Sequence, residues 1–526
     1  MATATPETAV DAALPVGSVL AYAGRVPGAL ADQGWLLCDG SVRDRDELPE
    51  LFTAIYFSFG QVTDRRFNLP DLRGLFVRCT CPDPVVRAQR DPDWERRSAL
   101  NPAGNTREKV GSYEDYGTAK PRVPFQSKVE HLDIRNWHDD AGCASRPGKH
   151  NDDAREVAAS GGGDLETRPV NKYVHFLIKA ASTTRAGGPV VLPAGAVLPY
   201  AGPATDLPRW LRCDGRALSR VGQYAALFQA VQYAHGSEGD DRFVLPDYRG
   251  WFLRGVSGDT NRHPDPDRGS RTAPHAGGNT GNDVGSAQPW STALPLNPFY
   301  ATFRHLPTSD ASKLVGGNLW NLLQVNGGSR GVSLTNGGGG DAESRPENLS
   351  VDFYVCAEPM AGADAAADVP IGAVATIGLD LPENPYWLPC DGRMVATADH
   401  PELSKALGAT YGTSEGKFGL PDYRARFLRG SSDTTGIDPD ADRRIPAGTG
   451  AASGVGSVQA YATGRPGKEF TTSVPNLPAS TIGAHGATNS GNAGDNGTLT
   501  FDPWSKGGDG DTRPNNVYLN FYIRAR

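Results

Sequence analysis

The residues of this chain that could do chemistry are its cysteines, its histidines and a recurring set of arginines and aspartates. Cys38, Cys213 and Cys390 sit in one repeated phrase: Trp35-Leu36-Leu37-Cys38-Asp39-Gly40, Trp210-Leu211-Arg212-Cys213-Asp214-Gly215 and Trp387-Leu388-Pro389-Cys390-Asp391-Gly392. A nucleophilic thiolate needs a base or an electropositive setting beside it. No histidine stands at a fixed offset from the three cysteines. They therefore read as buried thiols, with Trp and Cys in the core and Asp-Gly in a tight turn. Cys79, Cys81, Cys143 and Cys356 complete an odd total of seven, which favours reduced thiols over a disulfide framework.

A second recurrence is acidic and basic. Leu69-Pro70-Asp71-Leu72-Arg73 returns as Leu245-Pro246-Asp247-Tyr248-Arg249 and Leu420-Pro421-Asp422-Tyr423-Arg424, and Arg168, Arg345 and Arg513 return in an Arg-Pro-x-Asn phrase. Guanidinium forks set against carboxylates lock loops by bidentate pairing. A carbohydrate or phosphate site is the sharper alternative, but retention of the whole set in all three copies favours locking. Asp91-Pro92-Asp93, Asp265-Pro266-Asp267 and Asp438-Pro439-Asp440 could offer oxygen to Ca²⁺. Without a twelve-residue loop closed by Glu, and with Pro between the acids, they read as plain turns.

Histidines suggest a metal. His131 follows Ser112 by 131 − 112 = 19 residues, His305 follows Ser286 by 305 − 286 = 19, and His485 follows Ser457 by 485 − 457 = 28. If the three met on an axis they could hold one Zn or Fe ion with an open position; the plain reading is three loop histidines. Aromatics offer a different chemistry. Trp137, Trp290, Tyr300, Phe303, Trp320 and Trp504 stud segments rich in Gly, Asn and Ser. Such faces suit sugars or protein loops, and some would serve as small cores under Gly-rich loops.

These residues are positioned by a repeat of domain size. The cysteine offsets are 213 − 38 = 175 and 390 − 213 = 177, far longer than a solenoid unit of roughly 20–50 residues. The expected division is a tail over residues 1–14 and repeats over 15–181, 193–358 and 370–526, joined by short linkers that keep neighbours close. Each repeat opens on Pro-x-Gly and an apolar strand. A helix follows, carrying Leu48, Leu51, Phe52 and Ile55 in repeat one and Tyr224, Leu227, Phe228 and Val231 in repeat two. It is expected to stop near Gly60, Gly236 or Gly412. The second half shows little helical or strand period. It closes on an alternating strand, with Val517, Leu519, Phe521 and Ile523 facing one way in repeat three. The loop-rich half therefore reads as an ordered insertion between structured strands.

Composition limits the function classes. The chain has 526 residues, 64 Gly, 41 Pro and only 38% hydrophobic residues, a loop-rich and largely β make-up. Basic and acidic residues number 52 and 60, net −8, with no basic stripe, so nucleic acid is not an expected partner. No apolar run is long enough to cross a bilayer, so no membrane insertion is expected. Met1 to Leu14 has neither a basic nor an apolar signal region. The expectation is synthesis in the cytoplasm without a signal peptide, with release by lysis or another route.

The opening half of each repeat resembles the phage tail collar domain: Pro-x-Gly, Gly-Trp-Leu-x-Cys-Asp-Gly, helix, Phe-x-Leu-Pro-Asp-x-Arg-Gly, then Phe-Leu-Arg-Gly, as in Trp251-Phe252-Leu253-Arg254-Gly255. The closing Arg-Pro-x-Asn phrase and the Gly-Ser-x-Gln elements at Gly285-Ser286-Ala287-Gln288 and Gly456-Ser457-Val458-Gln459 are similar to the tip regions of tail fibres. Repeat one departs, with Gly111-Ser112-Tyr113-Glu114. The resemblance implies a mainly β fold with short helices (α+β): three tandem collar-like domains, each with a Gly-rich insertion, forming a pseudo-trimer within one chain. It implies a structural, receptor-binding part of a phage tail or contractile injection system, at fibre tip or baseplate. The implied partners are other tail proteins and a cell-surface glycan or protein, and the mature location is the particle. The alternatives are a glycan-degrading tail spike, which would need two carboxylates flanking the bond, and a free lectin. An enzyme is not expected. Relatives carry His-x-His in the tip and this chain has none, so a metal-free axis is expected.

Overall fold

The computed structural model describes residues 14–23, 26, 28–119, 126–131, 155–158, 167–184, 186, 190, 192–201, 207, 209–257, 265–266, 268–293, 299–305, 332–338, 344, 346, 348–358, 369–377, 381, 385–431, 437–439, 441–446, 454–463, 471–474, 499–501, 512, 514 and 516–526. It is mainly β with a few short helices. The opening strands, Ser18–Tyr22, Ala196–Tyr200 and Val374–Ile377, are almost wholly buried, as continuous apolar runs require. The helices that follow the Cys-Asp-Gly turns are Pro49–Ile55, Ala225–Val231 and Pro401–Leu407, and each buries two aliphatic side chains one turn apart: Leu51 and Ile55, Leu227 and Val231, Leu403 and Leu407. They end earlier than the glycines suggested. The next residues, Tyr56, Gln232 and Gly408, take φ of 46°, 47° and 55°. The backbone turns out of the helix there, before Gly60, Gly236 and Gly412 are reached.

The closing strands tie the repeats together. Asn171–Lys179 runs antiparallel to the opening strand of its own repeat, Val19 opposite Ile178. Its first half also runs parallel to Phe252–Gly255 of repeat two, Asn171 opposite Phe252. Asn348–Cys356 does the same with Ala196–Tyr200 and with Phe427–Gly430 of repeat three. Asn516–Arg524 does it with Val374–Ile377 and with Phe76–Cys79 of repeat one. Opening strands also meet across repeats, Tyr22 opposite Ala196, Tyr200 opposite Ala373 and Ile377 opposite Ser18. Parallel pairing needs a long crossover, and here the crossover is supplied by a neighbouring repeat.

One apolar cluster runs through all three repeats, taking Val19, Val197 and Val374 from the opening strands and Phe176, Phe353 and Phe521 from the closing strands. Those six residues also line a cavity of about 60 Å³. A second cluster holds Trp35, Trp210 and Trp387, covered by Leu14 and by the linker residues Val190, Leu192 and Val369.

The loop-rich halves contain strands that local sequence pattern did not reveal. Val332–Gly338 of repeat two lies between Gln126–His131 of repeat one and Thr471–Val474 of repeat three. Tyr300–His305 of repeat two lies between Arg155–Ala158 of repeat one and Leu499–Phe501 of repeat three. Every pairing among these six strands joins different repeats. Their partners are remote, so an alternating pattern within one repeat is not required.

Among the described glycines, the one with least room for a side chain lies against a neighbouring repeat. A Cβ on Gly430 would stand 1.8 Å from the Tyr248 carbonyl oxygen of repeat two, whereas Gly269 has nothing within 4 Å. Gly430→Ala is expected to lower the thermal midpoint by about 5 °C or more, and Gly269→Ala by under about 1 °C. Differential scanning calorimetry of the two variants checks this.

Candidate functional site

At each junction between repeats two arginines and a carboxylate are buried together. In repeat two, Arg254 and Arg271 face Asp265, and all three side chains are fully buried. Asp265 Oδ2 accepts from Arg271 Nη1 at 2.9 Å and from the Tyr173 hydroxyl of repeat one at 2.8 Å, while Gln288 Nε2 donates to Oδ1 at 3.0 Å. Arg271 Nη1 also donates to Asn171 Oδ1 of repeat one at 2.8 Å, and Nε donates to the Ser286 hydroxyl at 2.9 Å. Arg254 Nε donates to the Gly74 carbonyl of repeat one at 2.9 Å.

Repeat three rebuilds the node with Arg429, Arg444, Asp438, Gln459 and Ser457, joined by Asn348 of repeat two. Repeat one rebuilds it with Arg78, Arg97, Asp91 and Ser112, joined by Asn516 of repeat three. There Glu114 stands where the other repeats have Gln, and Arg97 Nη1 donates to it at 2.7 Å. Phe76, Phe252 and Phe427 touch one another, and the guanidinium carbons of Arg254, Arg429 and Arg78 lie 5.2 Å from their respective ring centres.

These nodes correct two sequence expectations. Asp91, Asp265 and Asp438 are the first acids of the Asp-Pro-Asp phrases, and they are buried acceptors for arginine, not plain turn residues. The second arginine of each node stood in no motif. Its signal was weak: an Arg shortly after Asp-Pro-Asp, at 97, 271 and 444. Charge explains the arrangement. Burial alone would raise the Asp265 carboxyl, but Arg254 and Arg271 outweigh it and hold the group down at about 2.

The other predicted positions are distributed as follows. Asp71 takes a two-pronged pair from Arg73, at 2.8 Å on both oxygens; Asp247 and Arg249 pair at 2.9 Å on both, and Asp422 and Arg424 at 2.9 and 3.1 Å. Burial is the largest influence on Cys38, Cys213 and Cys390 and pushes all three thiols well up, which disfavours thiolate. Arg168 donates through Nε to the Pro289 carbonyl of repeat two at 3.2 Å. Arg345 and Arg513 lie outside the described residues.

Beside Arg168 the loop-rich halves of neighbouring repeats meet. Arg168 pairs with Ser291 across repeats, next to a half-buried Trp290. Buried hydroxyls meet at the same level: Thr118 with Thr167 and Thr463 with Thr512 at 2.5 Å, and Thr292 with Ser344. Backbone amides from the next repeat donate to two of them, Ala293 to Thr167 at 2.9 Å and Ala119 to Thr512 at 3.1 Å.

Above this level, backbone register places Tyr300 opposite Ala158 and Phe303 opposite Arg155 and Phe501. His131 falls opposite Ser333 and His305 opposite Leu499, on strands of separate three-stranded sheets. Trp137, Trp320, Trp504 and His485 lie outside the described residues. What the described nodes can do is hold repeats together. Their side chains are too buried to meet a substrate.

The phage tail collar domain profile matches residues 17–77, 195–253 and 372–428. RhiB of Rhizobium leguminosarum bv. viciae is 33% identical over 180 residues, 32% of this chain and 74% of that protein. The chain belongs to the phage tail collar family. StfE of Escherichia coli strain K12 is 31% identical over 160 residues, 26% of this chain and 79% of that protein. The short tail fiber protein gp12 of Enterobacteria phage T4 is 35% identical over 63 residues, 12% of each chain. No solved structure matches. Each collar match ends within the Phe strand, one residue before the first arginine, so both arginines and the aspartate of each node lie beyond it.

Two titrations follow from these collar seams. Asp265 titrates near 2 in the fold against 3.8 ordinarily. Its contribution is present above pH 3.8 and is lost as pH falls toward 2, because the unfolded chain then binds more protons. Asp265→Asn should remove that acid dependence and cost about 3 kcal/mol at neutral pH, since it strands two buried guanidiniums. His235 is buried, with Nε2 on the Ala23 carbonyl of repeat one at 3.0 Å, and burial pulls it from 6.5 to about 4. Stability from this group is full above pH 6.5 and declines as pH falls toward 4. Tyr411 holds the equivalent place in repeat three and donates to the Ala201 carbonyl at 2.8 Å. His235→Tyr should therefore flatten the pH 4 to 6.5 decline in urea-unfolding series.

Proposed function

We propose that this collar protein is a structural and binding component of a phage tail or phage-derived injection system, at the fibre tip or baseplate, in which one chain does the work of three. The observation that carries the reading is the junction between repeats three and one. No linker spans it, yet it has the same strand pairings and the same arginine node as the two linked junctions. Closed rings satisfy every interface, and three fused repeats can close one within a single chain about a pseudo-threefold axis. The tip, with strands drawn from all three repeats, then meets a target-cell glycan or protein, or a neighbouring tail subunit. Among the described residues no helix is long and apolar enough to cross a membrane.

The chain acts by binding and not by catalysis. Its repeated carboxylates are engaged by arginines, whereas glycan hydrolysis needs two that flank the bond. The axis works without a metal, covalent linkage of the repeats taking over the role of a shared ion. Stoichiometric zinc or iron in purified protein, lost in His131→Ala, would overturn that part of the reading.

Light scattering tests the arrangement: a mass near 55.8 kDa, one chain, is expected. A homotrimer of the whole chain, or three loosely jointed domains in small-angle scattering, would refute it. Trp290 tests the binding. Trp290→Ala is expected to weaken attachment to target cells about tenfold while leaving the melting temperature within about 2 °C. Undiminished attachment would remove this residue from the contact.

A further inference from the structure

The three junctions are not equally built. Two join repeats that follow each other along the chain, and the third joins repeat three to repeat one with no linker. Repeat one carries extra chain at that place. Twelve residues separate Arg78 from Asp91, against ten between Arg254 and Asp265 and eight between Arg429 and Asp438. They include the helix Pro84–Arg90, capped by Asp83, whose Oδ1 accepts from the Val85 and Val86 amides at 2.9 and 3.1 Å.

The helix faces repeat three. Arg90 Nη1 donates to Asp422 Oδ2 and to the Arg424 carbonyl, both at 3.1 Å, and Arg424 Nη1 returns to Asp83 Oδ2 at 3.4 Å. Just before it, the Thr80 amide donates to the Leu519 carbonyl at 3.0 Å, and the Thr80 hydroxyl meets Asn520 Oδ1. Among the described residues, the buried node of the same junction is the one with a second carboxylate, Glu114, against its two arginines.

We propose that the helix Pro84–Arg90 is a latch on the unlinked junction, and that the strand edge it keeps closed would otherwise accept a second copy of this chain. The inference rests on the ring reading above. Linkers hold the first two junctions at high effective concentration, and a junction without one opens more readily unless extra contacts offset the loss. Opening exposes the first half of the closing strand Asn516–Arg524, residues 516–519, and the edge of Phe76–Cys79, which are complementary by construction. The same two edges on another copy fit equally well, the condition for domain swapping. Arg90 and Asp422 are 18% and 22% exposed, so their pairing is only partly screened by solvent.

The experiment compares wild type, Arg90→Glu and the control Arg220→Glu, which breaks the exposed Arg220–Asp241 pair of repeat two. Backbone amide exchange is read on the three closing strands, and mass by light scattering at two concentrations. In Arg90→Glu, amides of 516–519 should exchange about tenfold faster than in wild type, those of 171–174 and 348–351 should be unchanged, and mass should rise with concentration. The control should match wild type. Equal exchange of all three strands in Arg90→Glu would overturn the latch, and selective opening at constant mass would overturn the second copy as partner. If Arg90→Glu does not fold, Arg90→Gln decides on the same readouts. A wild type that is itself a whole-chain trimer would instead sink the ring reading.

Discussion

A buried arginine pair held by one aspartate, with an amide side chain from the neighbouring repeat, is the interaction on which this structure turns. Neither half is stable alone. Two guanidiniums without the carboxylate would be stranded charges in an apolar interior; without Asn171 or Asn516 the second arginine would lose a partner, and without Asn348 the Gln459 carbonyl would lose a donor. Each node is therefore complete only when two repeats have met. Buried charge of this sort adds little net stability over a hydrophobic replacement, but it punishes a wrong register heavily. The strand pairings, the ring contacts of Phe76, Phe252 and Phe427 and the hydroxyl pairs where the loop-rich halves meet all stand in that register.

Fusion of the repeats has left the nodes free to differ. A chain that assembled as three identical copies would have to carry the same residue at every junction. Here Glu114 replaces Gln at one node, and a buried lysine appears at another: Lys172 lies 4.9 Å from the centre of the Trp251 ring. Burial is the largest influence on that lysine and lowers it to about 8, with Asp247 pulling the other way. His235, Tyr411 and Phe59 occupy one equivalent place, and the first two reach a carbonyl of the preceding repeat. The apolar frame tolerates such exchanges because the covalent order of the repeats dictates who meets whom.

Much was legible in the residues themselves. The domain-length period and the buried Trp and Cys stand in repeated phrases, and the Asp-Arg pairs and the helices with Leu51, Ile55, Leu227 and Val231 rest on contacts within one repeat, close in sequence. Periodicity and turn chemistry report such contacts because they act through neighbouring residues. The family resemblance rests on the same short phrases, and so does the three-fold match to the collar domain.

Tertiary structure decided the rest. Asp265 reads as a turn residue until Arg254, Arg271 and Tyr173 are brought around it from 6 to 92 positions away. The tip strands carry no clear alternation because the partners of Tyr300–His305 belong to repeats one and three. His131 and His305 share a spacing from their serines but fall on different sheets. The helix Pro84–Arg90 stands in a half whose sequence shows little helical period, and its contact with Asp422 depends on repeat three having returned to repeat one. Sequence determines what each repeat can form by itself; which repeat supplies the missing strand or charge is settled only when the chain closes, because those interactions have no local signature.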